Sequence, residues 1–164
     1  MSGILCAVRG GLESRATITQ AIDLARTTGL PVQFVYVLDE ELVPATGSER
    51  ARAVANQIRH MGESVLFAAQ ALANAQGVLA HRAARQGNVE DEIATACREL
   101  GAEYLVLNRP WEGKDGRSSP ISAQFAERVG RQAGTELVWS ESSVGKTVDY
   151  VRGSAKEGRP CSSP

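Results

Sequence analysis

Residues 104–129 read Y-L-V-L-N-R-P-W-E-G-K-D-G-R-S-S-P-I-S-A-Q-F-A-E-R-V. An apolar strand gives way here to a glycine-bearing loop, and the loop leads into a helix start. In an α/β protein such a junction is a common place to hold a phosphate. Backbone N–H groups and a helix N-terminus converge there on one anion, and small residues let it come close. The elements on either side of this stretch decide the fold.

Before it, residues 4–8 (I-L-C-A-V) form a continuous apolar run ending at Arg9-Gly10-Gly11, as a central strand buried on both faces would. Ser14 is placed to cap a helix with Ile18, Ala21, Ile22 and Ala25 on its inner face, and Gly29 stops it. Residues 32–38 (V-Q-F-V-Y-V-L) are dense in β-branched and aromatic types and predict a second strand. Ser48 opens a long helix whose predicted core stripe is Ala51, Val54, Ala55, Ile58, Met61, Val65, Ala69 and Leu72. A weaker strand over residues 78–83, broken by His81 and Arg82, suits a sheet edge. Asn88 then caps a third helix with Val89, Ile93, Cys97 and Leu100 inward, and Gly101 ends it.

After residues 104–107 as a fourth strand, Ser119-Pro120 predicts the cap and first position of a fourth helix. Its apolar face is Ile121, Phe125, Val129 and Ala133, Gly134 stops it, and residues 136–139 make a fifth strand. Strands alternating with helices predict an α/β fold with a parallel sheet and helices on both faces.

The 164 residues suit one domain, residues 1–141, followed by a Ser/Gly/Lys/Pro-rich extension of residues 142–164. With 18 basic and 19 acidic residues, the net charge of −1 gives no attraction for nucleic acid or an anionic membrane. No apolar run reaches the roughly 20 residues a membrane span needs. The opening residues lack the pattern of a secretory leader, and the expected location is cytoplasmic. Cys6, Cys97 and Cys161 form no C-x-x-C pair, which argues against a zinc site or a disulfide framework. His60 and His81 have no metal-ligand spacing. The Cys6 and Cys97 thiols should be buried and inert.

Three segments carry a family resemblance: I-L-C-A-V-R-G-G-L-E-S-R-A-T-I-T-Q-A-I-D-L-A-R-T-T-G, then Q-G-N-V-E-D-E-I-A-T-A-C-R-E-L-G-A-E-Y-L-V-L, then A-E-R-V with the strand after it. In order and spacing they resemble the universal stress proteins. The resemblance implies an open five-stranded parallel sheet in the order 3-2-1-4-5, a homodimer through the fifth strand with Leu137 and Trp139 at the contact, and a non-enzymatic role in stress tolerance. Some members hold ATP, where the first and fourth strands diverge. These members resemble one another in an Asp ending the first strand and a loop pattern G-x-x-G, nine residues, then G-[ST].

This chain departs from both features. Arg9 stands where the Asp would be. Counting forward from the fourth strand aligns Asn108 and Trp111 with the first two glycines. Counting back from A-E-R-V aligns Pro110 and Gly113 with them, and Ala123-Gln124 with Gly-Ser. The loop is thus two residues longer, bulkier and short of a hydroxyl donor. The resemblance therefore implies a degenerate site around Arg9, Gly10, Val37, Asn108, Arg109, Gly113, Arg117, Ser118, Ser119, Ala123 and Gln124. No cofactor is expected, ATP through the longer loop being the alternative.

Two local features have more than one explanation. Arg9 and Arg109 could form an anion site or pair with Asp39, Asp115 or a partner subunit, and pairing is favoured. Trp111 could plug the nucleotide space or contact an unidentified protein partner, and the plug is favoured. Ser143-Val144-Gly145-Lys146-Thr147 resembles the end of a P-loop but lacks its first glycine and a following helix. No arrangement of side chains names a catalytic residue.

Overall fold

A computed structural model describes residues 2–9, 13–39, 47–108 and 122–140 of the chain. Its elements in order are β1 (Gly3–Val8), α1 (Glu13–Thr28), β2 (Val32–Asp39), α2 (Glu49–Ala75), β3 (Ala80–Gly87), α3 (Val89–Leu100), β4 (Ala102–Asn108), α4 (Ala123–Ala133) and β5 (Glu136–Ser140). The five strands pair in parallel in the order β3-β2-β1-β4-β5, as expected.

Side chains alternate between two cores, because successive strand residues point to opposite faces. Ile4, Cys6, Phe34, Val106 and Val138 face one core with Ile18, Ile22, Leu66 and Ala69 of α1 and α2. Leu5, Val35, Leu105, Leu107 and Leu137 face the other with Ile93, Cys97, Phe125 and Val129 of α3 and α4. Helices thus cover both faces, and β1 is central and almost wholly buried. No helix among the described residues is long and apolar enough to cross a membrane.

Local signals explain several boundaries. Ser48 Oγ accepts from the Ala51 N–H at 3.2 Å at the start of α2. The Asn88 side chain accepts from the Asp91 N–H at 3.1 Å, and Gly101, with φ 62°, closes α3 in the left-handed conformation. On β3, Arg85 lies 3.3 Å from Glu92 and also pairs with Glu99, tying the edge strand to α3. That strand runs to Gly87, beyond the expected residue 83, because it pairs with β2 along its full length.

Three expectations are corrected. Ser14 is not the cap of α1, since the helix already includes Glu13; its buried hydroxyl closes on the end of β1 instead. The fourth helix starts at Ala123 with Ser122 as its cap, so Ser119-Pro120 does not begin it. The buried stripe of α2 is Ala51, Gly62, Leu66, Ala69 and Ala73, while Val54, Met61 and Leu72 are exposed. A non-local contact rotates the helix: the Tyr36 ring lies against the bare backbone of Gly62, where a Cβ would sit 2.3 Å from the ring.

Candidate functional site

The carboxyl ends of β1, β2 and β4, with the N-termini of α1 and α4, form the region that the sequence singled out. Arg9 directly follows β1. Its N–H donates to Ser14 Oγ at 3.0 Å, and the same hydroxyl donates back to the Arg9 carbonyl. One buried serine therefore clamps the crossing from β1 into α1, fixing where the Arg9 backbone leaves the sheet.

Tyr36 and Val37 stand near the end of β2, both half-buried. Burial pushes the Tyr36 phenol above its ordinary pKa, and the positive charge of Arg9 pulls it partly back. The geometry thus brings Arg9 and Tyr36 into one electrostatic neighbourhood. Sequence reasoning had named Arg9 but not Tyr36.

Asn108 ends β4 in register with Ser140 of β5. Ser140 is fully buried, and its hydroxyl lies 2.6 Å from Thr17 Oγ1 and donates to the Leu107 carbonyl at 3.4 Å. Gln20 Nε2, also from α1, donates to the Trp139 carbonyl at 3.3 Å. These buried contacts lock α1 onto β4 and β5.

The decisive arrangement is at α4. Ser122 Oγ accepts from the Phe125 N–H at 3.1 Å, the expected chemistry of an N-cap. The carboxylate of Glu90, in the first turn of α3, comes to the same helix end. Glu90 Oε1 accepts from the Ser122 N–H at 3.4 Å and from Ser122 Oγ at 3.3 Å, and Oε2 lies 3.7 Å from Arg128 on the next turn. The positive end of the α4 dipole therefore already has an anion, supplied by the chain itself. Ala123 lies in the first turn and Gln124 is exposed.

A phosphate placed at this helix end would meet that carboxylate. At 5 Å and an effective dielectric of about 20, two unit negative charges repel by roughly 3 kcal/mol, which solvent reduces for a side chain 29% exposed. An anion entering this end of the sheet would therefore meet Arg9, just after β1, and the Glu90 carboxylate of α3 at the start of α4.

Gly10, Arg109, Trp111, Gly113, Lys114, Asp115, Arg117, Ser118 and Ser119 lie outside the described residues, as do Cys161 and residues 142–164. Leu137 is buried in the chain's own core and Trp139 is half-buried against it. His60 and His81 are exposed, and no group of three or more metal-ligating side chains occurs among the described residues. Burial pushes the Cys97 thiol up to about 12 and raises Cys6 further, leaving both protonated and inert.

Three solved structures illustrate the likeness of the fold. A universal stress protein family member from Burkholderia pseudomallei is 23% identical, with a TM-score of 0.62 over 83% of this chain and 92% of that one. UspA from Lactobacillus plantarum is 13% identical, with a TM-score of 0.67 over 85% and 97%. A family protein from Arabidopsis thaliana, solved with AMP bound, is 13% identical, with a TM-score of 0.58 over 87% and 93%. No curated protein sequence matches. Residues 1–138 match the description "Universal stress protein family". Because that match runs from before β1 into β5, the chain belongs to the universal stress protein family.

Proposed function

We propose that this protein is a non-enzymatic, cytoplasmic stress-tolerance or regulatory protein that works as a homodimer and does not bind ATP in its family's usual way. The observation that carries this reading is Glu90, whose carboxylate already accepts from the Ser122 N–H and hydroxyl at the start of α4. Arg9, in place of an acidic residue at the end of β1, supports it further. Pairing through β5 is motivated by its position at the sheet edge, where an uncovered strand is a template for a second copy. Since the Leu137 side chain is buried, that contact would rest on the strand backbone and Trp139.

The rival reading is a protein that takes ATP or another adenine nucleotide through its longer loop. The AMP-bound Arabidopsis structure favours it at the level of the fold. Purified protein separates the two. The expected result is that denatured samples release no nucleotide on chromatography, and that ATP with magnesium gives no multiple-turnover phosphate release. Stoichiometric adenine nucleotide in the released fraction would favour the rival, and sustained turnover would overturn the non-enzymatic reading.

A further inference from the structure

β5 is the last strand of the sheet, and no described strand pairs with its outer side. The ladder decides which of its backbone groups face that side. Along a parallel strand one residue turns both its N–H and its C=O to one neighbour, and the next residue turns both to the other. Ile4 donates its N–H to the Pro31 carbonyl at 2.9 Å, on the β2 side, so Leu5 turns to β4. Leu5 is in register with Leu105 and bonds the groups on either side of it, which leaves Leu105 and Leu107 to face β5. They in turn bond the groups on either side of Leu137 and Trp139. Leu137 and Trp139 therefore point their own N–H and C=O groups at the free edge.

One of those groups is already taken. Gln20 Nε2, from α1, donates to the Trp139 carbonyl at 3.3 Å. Gln20 is only 4% exposed, yet its Oε1 is buried with no hydrogen-bond partner among the described residues. An acceptor buried and unpaired is destabilising. Holding α1 on β5 does not require it, because the Thr17 and Ser140 hydroxyls, 2.6 Å apart, already join the same two elements. A leucine would fill this place without an orphaned oxygen. What leucine lacks is a donor for the edge carbonyl.

An edge strand invites addition because its outward N–H and C=O groups lack a partner strand. The Gln20 amide meets the Trp139 carbonyl as the N–H of an added strand would. Taking β5 as the contact edge of the proposed homodimer, we propose that Gln20 is an edge-capping residue. It blocks the Trp139 carbonyl, confines pairing with a second copy to the ladder around Leu137, and so keeps that pairing weak.

Sedimentation equilibrium on the full chain, from submicromolar to several hundred micromolar, tests this with Gln20→Leu and Gln20→Asn. The first removes the donor and the second draws it back by one methylene. Both should dimerise about tenfold more tightly than the wild type, because two-fold symmetry frees one carbonyl on each chain and each further hydrogen bond contributes a factor of a few. Circular dichroism should stay unchanged. A wild-type dimer whose dissociation constant is the same in both variants would overturn the proposal and leave the homodimer standing. Weaker pairing in both would overturn it too, making Gln20 a support of the edge. A wild-type monomer that dimerises on either change would sink the homodimer reading and keep the cap, whereas monomers throughout would sink both. Amide exchange on the unaltered chain asks the same question without a substitution. The Gln20 side-chain protons should exchange as slowly in the dimer as in the monomer, and their release on dimerisation would show the partner taking the carbonyl and overturn the proposal.

Discussion

Phe34→Ala should lower the stability of the folded chain by about 3–5 kcal/mol, the largest loss expected from any single truncation considered. Phe34 is wholly buried in β2, in register with Cys6 on β1 and Arg82 on β3, within the core under α1 and α2. The chain has only 3 phenylalanines, and the α2 residues in that core are mostly alanine. Short side chains on a rigid helix cannot collapse into a ring-sized hole, so the cavity should persist. Guanidinium denaturation checks this, and at roughly 2–4 °C per kcal/mol for a chain of this size the melting temperature should fall by about 6–20 °C. A loss under ~1 kcal/mol would mean that β2 is packed differently.

The second large effect is expected at Gly62. A Cβ there would lie 2.3–2.7 Å from ring atoms of Tyr36, far inside normal contact. Gly62→Leu should therefore cost about 3 kcal/mol, at the upper end of overpacking. Gly62→Ala should cost less, because alanine recovers up to ~1 kcal/mol of helix propensity. The cause can be isolated. In a Tyr36→Ala background the Gly62→Leu penalty should shrink by more than ~1 kcal/mol, as residues in contact couple. An unchanged penalty would place the clash elsewhere. Because Tyr36 is also within the electrostatic reach of Arg9, the same change should disturb the candidate site.

Much of this architecture was legible in local sequence signals. The apolar runs of β1, β2 and β4 needed no partner to identify them, and Asn88 with Gly101 marked both ends of α3. The inner face of α2 was not legible. Its sequence carries two overlapping apolar stripes, and hydrophobicity alone chose the bulkier one. The contact between Tyr36 and Gly62, which selects the smaller stripe, exists only once β2 and α2 are together. Ser14 and Ser119-Pro120 both fit a helix start on pattern, yet Ser14 bonds the preceding strand and Ser122 has the cap geometry.

The site divides in the same way. Arg9 could be named because a family resemblance assigned its position a charge, and the altered loop was visible by counting. Glu90 could not be named. It reads as an ordinary acidic residue in the first turn of a helix, and its hydrogen bonds to Ser122 cross 32 positions. Only the packing of α3 beside α4 joins them.

The account rests on α4 having its own anion where a phosphate would bind. Thermal melting of the purified protein with and without millimolar ATP and magnesium tests this most directly. A ligand at a hundred times its dissociation constant adds about 2.7 kcal/mol, which for a chain of this size is a rise of roughly 5–10 °C. The account predicts no rise. A clear rise with ATP, lost on changing Arg117 or the Ser118-Ser119 pair, would contradict it and show that the longer loop cradles phosphate despite Glu90.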